Sequence, residues 1–331
     1  MQPRVSIIIT CYNLGNYIND AIQSLLNQNC GFDFEIIVID DASTDNSKNI
    51  INSITDSRIK KYFLPENVGA AQAINQGFSH AKGEYICRFD ADDKWYPDYL
   101  QKAVNALDKN QTAALVHTDV TLIDQNNVLT SLSNNIDRPK KLLSLDYEFE
   151  SILEKYYINA PTIMGRRESW LKYLPWDERF RKGMGDWYYS LLMLENNPSY
   201  FIDEPLAYYR IHNSNMHRSM VTDKTAEKNM LFILDFFSKR LNEISSKKRR
   251  KIYYEWNKRL GLAYFSNDMK QDAKRCFKRA FKNNVTSIIS DAEFAKIWFG
   301  TMIGKKTYEK AKSFLRYTKN RQKRNISNSQ V

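Results

Sequence analysis

The sequence has few of the residues that mark non-globular chains. Glycine occurs 11 times and proline 8 times in 331 residues, which excludes a collagen-like or low-complexity protein. No apolar run approaches the roughly 20 residues of a membrane span. No two cysteines form a CxxC pair, so neither a zinc site nor a disulfide framework is indicated; they are Cys11, Cys30, Cys87 and Cys276. This use of cysteine suits a reducing compartment, the cytoplasm. Apolar residues make up 43% of the chain, enough for the buried core of a globular protein.

Charge divides the chain into two parts. From Lys224 onward the chain holds 27 Lys and Arg residues against 9 Asp and Glu, a net charge of +18. The preceding 223 residues hold the remaining 22 basic and 29 acidic residues, a net charge of −7. Such asymmetry predicts two domains, 1–223 and 224–331, with different partners. An acidic first domain is a poor nucleic-acid binder, and a basic second part suits phosphates or an anionic membrane.

The first domain alternates short apolar runs with segments of helical spacing. This rhythm predicts a doubly wound, mostly parallel α/β sheet. The run Ile36–Ile39 suits a parallel strand that is covered on both faces. The predicted strands are Val5–Thr10, Glu35–Asp40, Ile59–Leu64, Glu84–Phe89 and Ala113–Ile123. The predicted helices are Asn16–Gln28, Val68–Ala81 and one from Pro97 through Leu107. A further helix is predicted through Ile54, with N-caps offered by Ser43, Thr44 and Asp45.

After Asn126 the alternation becomes looser. Strands are predicted at Ile158–Met164 and Leu206–Ile211, and helices at Glu168–Leu174 and Asp186–Glu195. Beyond Asp223 the pattern is helical throughout. Leu260–Phe265 and Ala273–Phe281 resemble one helix pair of the tetratricopeptide kind, and one pair is too few for a solenoid. We therefore expect a C-terminal α-helical appendage.

Carboxylates follow two of the predicted strands. Asp40–Asp45 ends the second strand, and Asp90–Asp93 ends the fourth. Ligands of open α/β sheets bind at such strand ends. The glycine-rich signatures GxGxxG and GxxxxGK[ST] are absent, so no glycine cradle can hold a diphosphate by backbone amides. A divalent cation that bridges carboxylate and phosphate oxygens would replace it. Each acidic segment alone would suit a helix cap, but their joint placement favours a functional site.

The motifs, taken in order, resemble the family 2 glycosyltransferases from Met1 to Ser219. The opening strand VSIIITCYN and the acidic segment DDASTD match the family's first two motifs. The segment DADD is its DxD element, and Gly185–Trp187 resembles its catalytic-base motif. The other matching segments are Asn67–Gly69, Ala73–Gly77, Ala81–Ile86 and the closing motif Tyr209–His212. Nothing after Asp223 shares in the resemblance.

The resemblance implies the GT-A fold, which has a Rossmann-like nucleotide-binding core, and inverting transfer of a sugar from a nucleotide-sugar. By position, Tyr12 would stack on the base, while Thr10 and Asn67 would belong to the nucleotide site. Asp41 would accept the uracil N3–H, which favours a UDP-sugar. Asp90 would hold the ribose, and Asp92 would bind Mn²⁺ or Mg²⁺ between the phosphates. His212 would complete the metal shell or contact the diphosphate. Asp186 would be the general base.

Two positions depart from the family pattern. The base motif is often Glu-Asp, whereas Gly185 precedes Asp186 here, so a neighbouring contact to the acceptor is in question. The family's Ala-Arg-Asn stretch reads Ala-Ile-Asn here, with Ile74 at the arginine position. A positive contact to the diphosphate is therefore missing or comes from another residue.

One carboxylate suffices as base because a metal, rather than a protonated acid, stabilises the leaving group. Asp186 begins a predicted helix, whose N-terminus would help keep it ionised; read locally, it is an N-cap. Trp187, with Trp176 and Tyr188, either forms a sugar-stacking wall for the acceptor or belongs to the core. The enzyme would transfer a hexosyl or N-acetylhexosaminyl group to a glycan or lipid-linked acceptor.

The segment Phe294–Arg324 combines aromatic and basic residues. It suits either an interfacial helix on an anionic membrane, at the inner face of the plasma membrane, or the solvated basic face of a last helix.

Two other functions compete with the glycosyltransferase. A nucleotidyltransferase would need a glycine-rich first loop that is absent. A non-catalytic carbohydrate- or lipid-binding protein with the same fold remains the main alternative.

Overall fold

The computed structural model of the chain describes residues 2–132, 145–212 and 216–283, and positions 298, 300 and 301. It has two compact units, Met1–His217 and Arg218–Val331. The division predicted from charge, after Asp223, stays a prediction. Most of the predicted membrane-associating segment Phe294–Arg324 lies outside the described residues. Among the residues described, no helix is both long enough and apolar enough to cross a membrane.

The first unit contains one sheet of nine strands within its described residues. The strands are β1 (Val5–Cys11), β2 (Phe34–Asp40), β3 (Ile59–Phe63), β4 (Tyr85–Asp90), β5 (Lys94–Trp95), β6 (Leu115–Asp124), β7 (Leu129–Leu132), β8 (Met164–Arg166) and β9 (Ser199–Ile211). Their order is β3-β2-β1-β4-β8-β6-β9-β5, and β7 pairs with β6. The first four strands in this order are parallel, as are β6 and β9, whereas β8 is antiparallel to both of its neighbours. The predicted mostly parallel α/β sheet is confirmed.

Helices cover the sheet because their apolar residues recur on one face. In the helix after β1, Ile18, Ala21, Ile22 and Leu25 are fully buried. Ile36–Ile39 of β2 are also fully buried, which confirms a strand covered on both faces. The helices of this part are α1 (Ile18–Leu26), α2 (Ser47–Ser53), α3 (Ala70–His80), α4 (Tyr99–Lys109), α5 (Leu145–Glu154), α6 (Arg167–Leu171) and α7 (Gly185–Leu194), with short 3₁₀ helices at Ala160–Thr162 and Glu178–Phe180.

Of the caps predicted for α2, Asp45 is confirmed, because its Oδ1 accepts the N–H of Ser47, the first residue of the helix, at 2.9 Å. The Asn46 side chain makes no capping hydrogen bond. The three predicted residues also bind the loop after β1. Ser43 Oγ accepts the Asn13 N–H at 2.9 Å, Asn13 Oδ1 accepts the Thr44 N–H at 2.8 Å, and Asp45 Oδ2 accepts the Gly15 N–H at 2.9 Å. The polar loops after the first two strands are thus fastened together.

Two predicted strands have different bounds. Ile158–Met164 is not a strand; it contains the 3₁₀ helix Ala160–Thr162, and β8 starts only at Met164. Pro161, which cannot donate to a sheet ladder, explains the interruption. The last strand begins at Ser199 rather than at Leu206. Its pairing with β6 shifts register near Pro205, which breaks the apolar alternation on which the prediction depended.

A buried polar network joins the beginnings of β1, β2 and β4. Glu35 Oε1 accepts hydrogen bonds from Ser6 Oγ at 2.6 Å and from the Lys82 N–H at 2.9 Å, and Lys60 Nζ donates to Oε2 at 2.5 Å. Ser6 Oγ also accepts the Gly83 N–H at 2.8 Å. Burial alone would raise the pKa of Glu35, but the bonds from Lys60 and Ser6 outweigh it and lower that pKa. The network therefore stabilises the fold at neutral pH, and this stabilisation is lost as the pH falls through the lowered pKa.

The second unit is helical where it is described. Its helices are α8 (Met216–Thr222), which crosses the division between the units, α9 (Thr225–Phe236), α10 (Ser238–Glu243), α11 (Ser246–Ser266) and α12 (Lys270–Asn283). The predicted helix pair lies within α11 and α12, where Gly261 packs directly against the Phe277 ring. The buried Glu227 accepts hydrogen bonds from Tyr264, Arg275 and Arg279. The predicted C-terminal helices are confirmed.

Replacing Gly83 by alanine is expected to destabilise the first unit by about 1–3 kcal/mol. An added Cβ would lie 2.5 Å from Ser6 N and 2.8 Å from Tyr85 O, and these backbone atoms belong to packed strands and cannot yield. Urea unfolding followed by circular dichroism measures the change. Gly31→Ala is the matched control, because its Cβ would meet nothing closer than 3.9 Å. Equal unfolding midpoints for the two variants would contradict the packing argument.

Candidate active site

Three polar segments meet because β2, β1 and β4 are neighbouring parallel strands. Cys11 pairs in register with Asp40, and Thr10 pairs with Asp90, so the three strands end at one edge of the sheet. The loops that follow them carry Tyr12, Asp41 and Asp92. Tyr12 is 47% exposed, although it follows a strand that is almost wholly buried. The structure thus brings the predicted residues that follow β1, β2 and β4 to one edge of the sheet.

Asp41 is held by the turn that precedes α3. Its carboxylate accepts hydrogen bonds from Asn67 Nδ2 at 3.0 Å, from the Val68 N–H at 2.8 Å and from the Gly69 N–H at 2.8 Å. Gly69 has a φ of 85°, a conformation that suits glycine. A carboxylate offers about four acceptor positions, so these three donors leave one for a ligand. Asp41 and Asn67, both predicted site residues, are therefore in direct contact.

Asp90 lies at the end of β4, beside a cation on the same strand. Arg88 donates to both carboxylate oxygens of Asp90, at 2.5 Å and 3.3 Å. Burial raises the pKa of Asp90 to about 6; Arg88 opposes the shift, while Asp92 and Asp186 add to it. Burial also raises the pKa of Asp93, with further contributions from Asp92 and Asp90. The carboxylates of this edge are close enough to repel one another.

Asp92 and His212 are neighbours, although 120 residues separate them. Asp92 Oδ2 lies 2.9 Å from His212 Nε2, and the Tyr17 ring packs on the imidazole with centroids 4.7 Å apart. Two adjacent ligands of an octahedral cation, each about 2.1 Å from the ion, stand about 3 Å apart. The pair therefore fits two positions of one metal shell. Within the described residues, no group of three His, Cys, Asp or Glu side chains could hold an ion.

Arg210 fixes the loop that carries this pair. Its side chain is 1% exposed, and its guanidinium donates to the carbonyls of Asp92 at 2.7 Å and Asp124 at 3.2 Å, and to Asn127 Oδ1 at 3.0 Å. Its backbone N–H donates to Asp93 Oδ1 at 2.9 Å. Because a planar guanidinium has five donors in a fixed fork, one side chain can serve several acceptors at once.

Asp186 is the second residue of α7, where the positive end of the helix dipole favours a carboxylate. Burial works against the charge on Arg88, yet Asp90 and then Asp186 hold the pKa of its guanidinium above the ordinary value. Burial and then the charge of Asp186 raise the pKa of Tyr156. Burial also raises the pKa of Tyr209, with further contributions from Asp93 and then from Asp90, Asp92 and Asp186. Arg88 therefore lies in the electrostatic field of both Asp90 and Asp186.

The aromatic residues near Asp186 are buried. Trp187 is 1% exposed and donates its indole N–H to the Ile152 carbonyl at 2.8 Å. Trp176 stacks on Tyr189 at 4.3 Å, and Tyr188 stacks on Phe180 at 4.9 Å. These positions fit the core alternative rather than an open wall for an acceptor sugar.

Both departures from the family pattern have a structural setting. A Cβ on Gly185 would lie 2.8 Å from the Trp176 ring, so a larger side chain before Asp186 would need that ring to move. Ile74, at the position of the family arginine, is 1% exposed and belongs to the core. The sequence reasoning also missed Arg88 and the neighbours of Asp186. One signal for Arg88 was available: a lone cation within an otherwise apolar strand, two residues before an aspartate.

The fold and this edge together define a glycosyltransferase. The model of the family "Glycosyl transferase family 2" matches residues 6–174, and the chain belongs to that family. It is 31% identical over 217 residues to TuaG of Bacillus subtilis, which is named a glycosyltransferase of teichuronic acid biosynthesis; the match covers 65% of this chain and 82% of TuaG. It is also 35% identical over 170 residues to an uncharacterized glycosyltransferase of Haemophilus influenzae, covering 51% of this chain and 64% of that protein.

Solved structures confirm the predicted GT-A fold. The S. aureus TarS 1–349 structure in complex with UDP-GlcNAc superposes with a TM-score of 0.53 at 16% identity, covering 90% of this chain and 91% of TarS. The mannosyltransferase PcManGT from Pyrobaculum calidifontis, in complex with GDP-Man and Mn²⁺, gives 0.54 at 17% identity, covering 96% and 85%. At these identities the likeness shows the fold alone.

Replacing Arg210 by lysine is expected to lower the stability of the protein by about 2–4 kcal/mol. The single ammonium cannot serve acceptors both on the loop after β4, at Asp92, and on the turn from Asp124 to Asn127, so backbone carbonyl groups lose their partner. Thermal and urea unfolding measure the loss. Arg179→Lys is the control, because the Arg179 side chain is 53% exposed and forms its ion pair with Asp177, two residues away. Equal stability of both variants would contradict the role given to Arg210.

Proposed function

We propose that this glycosyltransferase is a metal-dependent, inverting enzyme that moves a sugar from a UDP-sugar to a hydroxyl of a glycan or lipid-linked acceptor. The observation that carries the proposal is the alignment along one sheet edge of Tyr12, Asp41 and the Asp92–His212 pair. The first two suit a nucleoside base and the third suits a diphosphate with its cation. The TarS complex with UDP-GlcNAc and the PcManGT complex with GDP-Man and Mn²⁺ support a nucleotide-sugar donor and a divalent metal.

The nucleoside site is proposed around Tyr12 and Asp41. The exposed Tyr12 ring would stack on the base. The remaining acceptor position of Asp41 would take the uracil N3–H. Cytosine has no hydrogen at that atom, so the site would discriminate against cytidine nucleotides. Thr10 and Asn67 would hold the nucleotide from either side, and the ribose hydroxyls would donate to Asp90.

Asp92 and His212 would hold Mn²⁺ or Mg²⁺ together with the two phosphates. When bound, the cation would neutralise the charge that develops on the departing diphosphate. Arg210 would keep the Asp92 carbonyl in place, and the packing of Tyr17 would limit the orientations of the imidazole. The residues themselves thus provide a rigid pair of ligands.

Asp186 would act as the general base. The acceptor hydroxyl oxygen would attack the anomeric carbon, its proton would pass to the Asp186 carboxylate, and the bond from that carbon to the diphosphate oxygen would break. Attack on the face opposite the leaving group inverts the anomeric configuration. A single carboxylate suffices here, unlike in a glycosidase, where two carboxyl groups flank the bond.

The acceptor is proposed to be a growing surface polysaccharide or its lipid-linked precursor, and the transferred group a hexosyl or N-acetylhexosaminyl residue. The similarity to TuaG, named for teichuronic acid biosynthesis, supports this assignment. The net charge of +18 from Lys224 onward supports attachment to the anionic inner face of the plasma membrane. A non-catalytic binding protein would retain the donor site but would neither transfer nor hydrolyse the sugar.

The donor site is tested by titrating UDP in a calorimeter with Mn²⁺ or Mg²⁺. Asp92→Asn is expected to weaken metal-dependent binding of UDP by more than about tenfold, because it removes one anionic ligand of the cation. Asp98→Asn is the control, because Asp98 is exposed, directly precedes α4 and makes no capping hydrogen bond with its side chain; it should bind as the wild type does. Metal-independent binding of UDP by the wild-type protein would contradict the proposed metal site.

Asp186→Asn is expected to lower turnover by about a thousandfold while UDP binding is unchanged, because the amide cannot accept the acceptor's proton. Release of UDP from a panel of UDP-sugars, with and without glycan acceptors, measures turnover. Turnover close to that of the wild type would exclude Asp186 as the base. Absence of both transfer and hydrolysis in the wild-type protein, with UDP binding intact, would favour the non-catalytic alternative.

A further inference from the structure

The segment between Trp176 and Arg181 is fastened to α3 and to the turn before it. Asn75 Nδ2 donates to the Trp176 carbonyl at 3.0 Å, and Asn75 Oδ1 accepts the Trp176 N–H at 2.7 Å. Gln72 Nε2 donates to Glu178 Oε1 at 2.7 Å. At the end of the segment, the Ala70 N–H donates to the Arg181 carbonyl at 3.0 Å. The segment therefore follows α3 towards its N-terminus.

The Arg181 side chain continues from there onto the turn that holds Asp41. Its Nη2 donates to the Asn67 carbonyl at 2.8 Å and lies 3.3 Å from Asn67 Oδ1. The aliphatic part of Arg181 lies directly over Gly69, where an added Cβ would be 2.0 Å from Arg181 Cγ. Glycine at position 69 thus serves the positive φ and also leaves room for the arginine.

This contact determines which way the Asn67 amide points. A guanidinium has only donors, so it requires the amide oxygen of Asn67 on its side. The amide nitrogen must then face the opposite way, towards Asp41, to whose carboxylate it donates at 3.0 Å. A reversed amide would place donors against donors and an oxygen against a carboxylate. Asn67 Nδ2 also donates to the Asp41 carbonyl at 3.2 Å, so Asp41 and Arg181 together fix the orientation of Asn67 from its two sides.

The same segment also packs on the helix that carries Asp186. Trp176 stacks on Tyr189 of α7, and Phe180 stacks on Tyr188 of the same helix. Gly185, at the start of α7, contacts the Trp176 ring so closely that a Cβ would be 2.8 Å away. The chain thus passes from the Asp41 turn to Asp186 through one packed segment.

We propose that Arg181 is a positioning residue that orients Asn67 and Asp41 for the donor nucleoside. The inference rests on the proposed function, since it assigns Asp41 to the nucleoside base. Arg181 acts through Asn67 and need not touch the nucleotide. Through its own backbone it also ties this turn to the segment that leads to Asp186.

The test compares Arg181→Ala with Arg179→Ala. Arg179 belongs to the same segment and is exposed like Arg181, but its ion pair is with Asp177, two residues away, and not with the turn that holds Asp41. Calorimetric titration of UDP with Mn²⁺ is expected to show about tenfold weaker binding for Arg181→Ala and a change within about twofold for Arg179→Ala. Equal affinity of Arg181→Ala and wild type, or equal losses in both variants, would overturn the proposal.

A double-mutant cycle separates action through Asn67 from direct contact with the nucleotide. If Arg181 acts through the Asn67 side-chain amide, the double variant of Arg181→Ala and Asn67→Ala binds UDP no more weakly than Asn67→Ala alone. The Asn67 backbone carbonyl, which Arg181 also binds, is retained in Asn67→Ala, so the cycle tests the side-chain route. Additive losses would mean that Arg181 acts independently of this amide and would overturn the proposed route. In transfer assays the donor KM of Arg181→Ala should rise more than kcat falls.

Hydrogen exchange without any ligand distinguishes failure of this inference from failure of the proposed function. The Val68 and Gly69 amides donate to Asp41, so they should exchange faster in Arg181→Ala than in the wild type or in Arg179→Ala. Unchanged exchange would overturn the positioning role even if UDP binds. Faster exchange in a protein that binds neither UDP nor GDP would support the positioning of Asp41 and would refute the nucleotide site itself.

Discussion

Two buried guanidinium groups allow four carboxylates to share one edge of the sheet. Asp90, Asp92, Asp93 and Asp186 lie close enough to affect the same neighbours electrostatically, and burial raises the pKa values of Asp90 and Asp93. Arg88 forms an ion pair with Asp90, and Arg210 holds the Asp92 carbonyl and bonds to Asp93. Without these cations, carboxylates brought together in a region of low dielectric would take up protons or move apart.

The two arginines serve different parts of the proposed reaction. Arg210 binds the backbone carbonyls of Asp92 and Asp124. Its main effect is therefore to fix the loop after β4 against the end of β6. Arg88 bonds to a carboxylate and lies in the field of Asp186, so it influences both the donor side and the base side. A divalent cation between Asp92 and His212 would add positive charge to the same cluster. On the proposed function, such a cation would reduce the repulsion among the four carboxylates.

Membership in glycosyltransferase family 2 and the GT-A fold give the edge its chemical meaning, but they fix neither the sugar nor the acceptor. The stretch from α5 to α7, which lies between β7 and β9 in the chain, differs most from a regular α/β repeat. There Trp187 is 1% exposed and donates its indole N–H to the Ile152 carbonyl, so this ring belongs to the core.

The sequence by itself determined the regular half of the sheet and the position of its acids. Apolar runs such as Ile36–Ile39 and the polar residues that follow them are local signals, and a parallel sheet brings neighbouring strand ends together. It could not show that β8 would insert antiparallel between β4 and β6. Nor did it show that the predicted strand Ile158–Met164 would be interrupted at Pro161.

The tertiary structure decided how the side chains around those acids meet. The resemblance implied that His212 and Asp92 belong to one metal shell, but their direct contact across 120 residues appears only in the fold, as does that of Arg181 with Asn67 across 114. Arg88 shows the same limit within one strand. The sequence shows a cation two residues before Asp90, but only the fold shows that the two side chains form an ion pair. Spacing along the chain reports periodicity and strand ends, whereas contacts between distant segments depend on how the whole sheet and its helices pack.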